Sequence, residues 1–88
     1  MEVEFTKSFL KDLKNIDDKY ILNKVKLIIL EIENSSSLSE LQNVKFIVNS
    51  KYYFRIRIGD YRIGIKVEDN LIKLIRCLHR KEIYKRFP

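Results

Sequence analysis

The sequence predicts an α+β fold: an N-terminal strand and an antiparallel helical hairpin packed on one face of a mostly antiparallel sheet of four or five strands. Three observations lead there. Apolar residues in the first third of the chain return every three or four positions, the helical period, and from Val44 onward they return every second position, the strand period. A short alternating segment precedes both. Helices grouped ahead of the strands, rather than alternating with them, collect on one side of an antiparallel sheet. The opposite face is expected to stay open.

Val3 and Phe5 alternate with Glu2 and Glu4, which gives the first strand. Thr6 suits a helix N-cap, because its hydroxyl can accept a bond from an unpaired amide of the first turn. Phe9, Leu10, Leu13 and Ile16 then share one side of a helix over about residues 7 to 16, with Lys7, Lys11, Asp12 and Lys14 toward solvent. Asp17 or Asp18 caps a second helix over about 19 to 33. Its stripe of Ile21, Val25, Ile28, Ile29 and Ile32 is widened by Leu22, Leu27 and Leu30. The short link between the two makes an antiparallel hairpin.

"NSSSLSELQN", residues 34 to 43, is a polar loop whose serines and asparagines favour bonds to their own backbone. Val44, Phe46 and Val48 alternate with Lys45 and Ile47, and "NSK" turns the chain. In the next strand Tyr52, Phe54, Ile56 and Ile58 face one way and Tyr53, Arg55 and Arg57 the other. Gly59 and Asp60 make a tight turn. Tyr61, Ile63, Ile65 and Val67 then oppose Arg62, Gly64, Lys66 and Glu68. After a turn at "EDN" comes "LIKLIRCLH", a last strand with two indistinct faces, and "RKEIYKRFP" is a basic tail of one or two helical turns.

With 88 residues the chain has room for a single domain, residues 1–88, and one core of two layers. Hydrophobic residues at 45% and charged ones at 34% exclude disorder. Eighteen Lys and Arg against twelve Asp and Glu give a net charge of +6, which favours a polyanion or an acidic protein as partner. The single cysteine, Cys77, lies in an apolar run, excludes an internal disulfide and fits a reducing compartment. Acids stand where a signal peptide has bases, and no apolar run approaches the ~20 residues of a membrane span, so a cytoplasmic protein without membrane contact is expected.

If the helices cover one face, Arg55, Arg57, Arg62 and Lys66 project together from the other. Cations on adjacent strands stand roughly 5 to 7 Å apart and repel unless anions are near. A solvated face normally mixes signs. Here only Glu68 and Asp60 are at hand, which makes an anion-binding face the better reading.

Residues 52 to 88, "YYFRIRIGDYRIGIKVEDNLIKLIRCLHRKEIYKRFP", resemble the C-terminal half of the RelE toxins of type II toxin–antitoxin systems, most specifically in R-I-R-I-G-D-Y-R and H-R-K-E-I-Y. The "FTKSFLKDLKNI" opening and the paired helices are similar in layout, so the likeness spans nearly the whole chain. It implies the RelE-like microbial RNase fold and an mRNA interferase that enters the ribosomal A site, contacts 16S rRNA there, and cuts the messenger without metal or cofactor. A cognate antitoxin protein is implied as partner.

Such chemistry needs a base for a ribose 2′-OH, cations to steady a pentavalent phosphorane, and an acid for the leaving oxygen. By resemblance Arg57, Arg62, His79 and Tyr84 are the catalytic set, with Arg55, Lys66, Arg80 and Lys81 as further RNA contacts. Histidine changes charge near neutral pH, so His79 is the natural proton carrier, against a structural role at a strand end. Tyr84 stacks on a base or anchors the tail. Arginine is a poor base, so where relatives carry lysine, Arg55 and Arg57 stabilise charge. Lys66, Lys81 or the ribosome remain open as base. The alternatives are a ParE-like gyrase poison of the same fold and a nucleic-acid-binding module without activity.

Overall fold

A computed structural model describes residues 1–41, 46–48 and 51–87. In chain order the elements are β1 (Glu2–Phe5), α1 (Lys7–Lys14), α2 (Lys19–Glu33), a 3-10 turn at Leu38–Glu40, β2 (Phe46–Val48), β3 (Tyr53–Ile58), β4 (Tyr61–Glu68), β5 (Leu71–His79) and α3 (Arg80–Arg86). The sheet runs β1-β5-β4-β3-β2, with β1 parallel to β5 and every other pair antiparallel. The expected α+β arrangement is the one observed. Val44, Lys45 and most of the "NSK" turn lie outside the described residues.

Local chemistry sets the helix starts. The Thr6 hydroxyl accepts the Phe9 amide at 3.0 Å, and Asp18 accepts the amides of Tyr20 and Ile21 at 2.9 and 3.4 Å, satisfying amides that have no partner inside the helix. Helix α1 stops at Lys14, two residues earlier than the apolar spacing predicts, because Asn15 closes it by donating its amide to Asp12. Ile16 is buried all the same. The polar loop is partly ordered: the Ser35 hydroxyl donates to Glu31 O at 2.7 Å, and Glu40 accepts the Ser36 amide at 2.6 Å.

Phe9 and Ile16, with Ile21, Val25, Ile28 and Ile32 of α2, close on Ile56, Ile58, Ile63, Ile65, Ile72, Leu74 and Cys77 of the sheet. Each such side chain taken from water contributes about 1.5–3 kcal/mol. Not all of the predicted stripe is used. Leu10, expected on the apolar side of α1, and Leu27 and Leu30, expected to widen the stripe of α2, are 47%, 60% and 46% exposed and lie outside the core. Asp12 corrects the reading the other way: expected in solvent, it is buried against β5.

The indistinct faces of β5 have a cause. Gly64 pairs with Arg76 and Ile65 with Leu74, so Ile75 is an extra residue, and the bulge shifts the alternation. Ile72 and Leu74 before it, and Cys77 after it, all reach the same core. The Thr6 hydroxyl donates to the Ile75 carbonyl at 2.7 Å and ties the start of α1 to the bulge.

The second face of the sheet does not stay open. The tail forms α3, whose Ile83 is fully buried, and Phe87 just beyond it is 7% exposed. Phe87 packs over Gly64, where no side chain stands in the way.

Candidate nucleic-acid interface

Arg55 lies opposite Gly64 in the β3–β4 ladder, so the space over its neighbour is filled by α3 instead of a side chain. A Cβ on Gly64 would come within 2.5 Å of the Phe87 ring. With Phe87 seated there, α3 carries Tyr84 over Arg55, the guanidinium carbon 4.8 Å from the ring centroid. Tyr84 remains 59% exposed, and the Arg55 Nε is buried with no partner. One face of the phenol rests on a cation and the other meets solvent.

Along β3 the next residue on this face is Tyr53. Its ring meets Phe87 edge-on at 5.7 Å, and Lys66 Nζ lies 5.7 Å from its centroid. Lys66 also pairs with Glu68 at 2.8 Å. That hydrogen bond and the opposite charge raise the lysine pKa and lower that of the carboxyl. A lysine held protonated in this way is poorly suited to act as a base.

The structure does not gather the four cations into one pocket, as the alternation alone predicts. Arg62 is buried and folds back, its guanidinium donating to the carbonyls of Gly59 and Tyr61 at 2.7 and 2.8 Å and leaving Nε without a partner. Arg57, its cross-strand neighbour, is exposed and lines a groove of about 560 Å³ beside α2, with Tyr20, Lys24, Leu27 and Glu31. Register still places Arg55, Arg57 and Arg62 on one sheet face. Among the described residues no carboxylate pairs with any of them. Among the described residues no ion pair therefore offsets the repulsion expected from so many like charges.

His79 is elsewhere. It pairs with Tyr61, whose ring meets the imidazole edge-on at 5.7 Å and packs against the helical core. The imidazole therefore points to the α1 side, into a cleft with Asn15 and Ile16, and away from the guanidinium groups. Its Nδ1 accepts the Lys81 amide at 3.2 Å and caps α3. The single shared pocket reached by the imidazole is thus corrected by strand register. Arg80 and Lys81 are exposed on the first turn of α3, and the Arg80 amide donates to Asp60 O at 2.7 Å.

Sequence reasoning missed Gly64, Phe87 and the Asp12–Arg76 pair. A lone glycine inside a strand pattern, which marks close approach of another group, was the available signal. Cys77 is 1% exposed, and burial pushes its thiol up to about 12, so it is no nucleophile. Among the described residues no three His, Cys, Asp or Glu side chains converge as metal ligands, and no helix is long and apolar enough to cross a membrane.

Comparison with known proteins places this geometry in a group. The family model described as ParE toxin of type II toxin-antitoxin system, parDE, matches residues 3–84. The chain is 48% identical over 89 residues to Toxin RelE3 of Methanocaldococcus jannaschii, covering all of both. It resembles the crystal structure of the RelB-RelE antitoxin–toxin complex from Methanococcus jannaschii at 46% identity and a TM-score of 0.77, over 97% of this chain and 99% of that one. YafQ from E. coli shares the fold, with a TM-score of 0.67 over 94% and 97% of the two chains and 24% identity.

Proposed function

Since this chain belongs to the RelE and ParE toxins of type II toxin–antitoxin systems, we propose that it arrests growth as an mRNA interferase, cutting messenger RNA in the ribosomal A site. The observation that carries this reading is the Arg55–Tyr84 pair: a guanidinium with a buried, unpartnered Nε beneath a ring whose other face is open to solvent. Tyr84 offers a nucleobase a stacking surface, and Arg55 offers the adjoining phosphate a donor at close range.

Attack of a ribose 2′-OH on the adjacent phosphate concentrates negative charge on the phosphorane oxygens. Preorganised cations stabilise that charge best where water is excluded. Arg55 fills this role, Arg57 extends the cationic edge, and Arg62 fixes the β3–β4 turn that sets their spacing. Arg80 and Lys81, exposed at the start of α3, meet surrounding ribosomal RNA. His79 caps a helix on the other side and Lys66 keeps its proton, so the 2′-OH proton passes to a group of the ribosomal complex. The protein supplies positioning and electrostatics.

Regulation falls to an antitoxin, as in the RelB-RelE relative. The groove beside α2 joins the exposed Tyr20 and Leu27 to Arg57 and Lys24, which suits a segment with apolar and acidic residues.

The test is induced expression of the chain with mapping of mRNA 5′ ends, and incubation of purified chain with mRNA in the presence and absence of ribosomes. Cuts clustered at codon positions, dependent on ribosomes and lost in Arg55→Ala, support the reading. Intact messages with relaxed or broken DNA would replace it with gyrase poisoning, to which the family model's ParE description also points. Arrest of growth with neither would leave binding without catalysis.

A further inference from the structure

We propose that two copies of the free chain pair through the outer face of α2, packed antiparallel about a two-fold axis beside Leu27. Tyr20 and Leu27 are the most exposed large apolar side chains among the described residues, and Leu30 is nearly half exposed as well. All three lie on α2, outside its core stripe. Tyr20, Lys24, Leu27 and Glu31 follow one another at steps of four, three and four, the spacing that sets residues on a single side of a helix. All four line the groove beside β3. Contiguous apolar surface of this kind marks a face that binds something.

What covers it follows from the charges. Lys24 and Glu31 stand on either side of the apolar centre, and the midpoint between them falls between Leu27 and Ile28. Seven positions along a helix span roughly 10 Å, too far for the two to meet within one chain. No opposite charge stands three or four positions from either along the helix. Among the described residues neither takes part in an ion pair, although Arg57 lines the same groove. Lys24 lies instead by the ring of Tyr20, its Nζ 5.6 Å from the centroid. A two-fold axis through the midpoint reverses the second helix, so that Lys24 of each copy faces Glu31 of the other and the two Leu27 side chains close the centre. Reciprocal contact is the form that pairing between identical surfaces takes, with an apolar middle and a charged rim. A wholly acidic or wholly basic partner would satisfy one of the two charges; a second copy satisfies both. The net charge of +6 on each copy opposes the approach, which sets the dissociation constant on the order of 10–100 µM. The groove is also the one suited to the antitoxin, so the second copy holds it only while antitoxin is absent.

Sedimentation equilibrium of the full chain, from about 5 to about 500 µM, tests this and is expected to show a reversible dimer. Lys24→Glu and Glu31→Lys each place like charges opposite one another twice in a symmetric pair, and each should weaken association about tenfold or more. An equimolar mixture of the two variants should associate again, because every acid of one copy then faces a base of the other. The doubly substituted chain, K24E/E31K, should dimerise for the same reason. A chain that stays monomeric throughout the range overturns the proposal and leaves the face to the antitoxin alone. A dimer untouched by either single substitution, or one that neither the mixture nor the double substitution restores, overturns it as well, because the contact then does not join Lys24 to Glu31.

Discussion

Asp12 holds Arg76 through hydrogen bonds of 2.8 and 2.9 Å and takes the Cys77 backbone amide through a third of 3.0 Å. Strand β1 pairs with β5 only as far as Leu74, so beyond the bulge the edge of β5 has no strand beside it, and a side chain from α1 satisfies its amide. Asp12→Ala leaves that buried amide and a guanidinium one-fifth exposed without their acceptor. A loss of about 2–3 kcal/mol is expected. Urea unfolding measures it, and a change under about 0.5 kcal/mol would show that water replaces the carboxylate without penalty.

Cys77 sits under this network, and its pKa, raised to about 12 first by burial and then by the Asp12 charge, makes it a reporter of unfolding. Alkylation should be negligible in the folded chain at pH 8 and rapid in denaturant. The sign of the pH dependence follows from linkage: an unfolded thiol loses its proton near ~8.5, so between there and about 12 the folded state binds more protons. The thiol's contribution is complete below that window and falls as pH rises through it. Cys77→Ser should flatten that part of the stability curve, and an unaltered curve would refute the assignment.

Gly64 and Phe87 seat α3 on the sheet. Gly64→Ala drives a methyl into the Phe87 ring, so α3 must lift, at a cost of about 1–3 kcal/mol, and Tyr84 leaves Arg55. The cost should largely vanish in a Phe87→Ala background, a coupling that a double-mutant cycle reads directly. Additive effects would mean that the ring has room to move.

How far the sequence was legible follows from what each element depends on. Helix α2 and the β3–β4 hairpin rest on local periodicity and turn chemistry, and both were found as predicted. Side-chain direction was harder. Alternation put Arg62 and Lys66 on one face but could not show that Arg62 would bend back to its own turn, or that a bulge at Ile75 would reset β5. The placement of His79 depends on its register with Tyr61, a long-range pairing that no local pattern encodes. The one or two helical turns expected of the basic tail are helix α3, but its docking on the sheet was not legible, because Ile83 and, just beyond the helix, Phe87 are too few to form a stripe.

Tyr84 and Arg55 should separate function from stability. Their contact is exposed on one side, and such a cation–π pair is worth about 0.5–1 kcal/mol, so Tyr84→Ala should melt within a few degrees of the unsubstituted chain. Messenger cleavage should fall tenfold or more, with Tyr84→Phe retaining most of it because stacking needs the ring alone. Cleavage unaffected by Tyr84→Ala would remove the ring from the site.

His79 distinguishes a cap from a proton carrier. Nδ1 accepts the Lys81 amide, which requires the neutral ring with its proton on Nε2, and the imidazole lies across the sheet from Arg62. A helix N-cap can be supplied by asparagine, whose carbonyl accepts the same amide but which carries no titratable group. His79→Asn should therefore keep both α3 and growth arrest, whereas His79→Ala should lose about 0.5–1 kcal/mol and, through a loosened α3, part of the activity. Circular dichroism follows the fold and mRNA 5′-end mapping follows the function. Abolished cleavage in a stably folded His79→Asn chain would return the imidazole to the reaction, and α3 would then have to swing around the end of β5 when RNA binds.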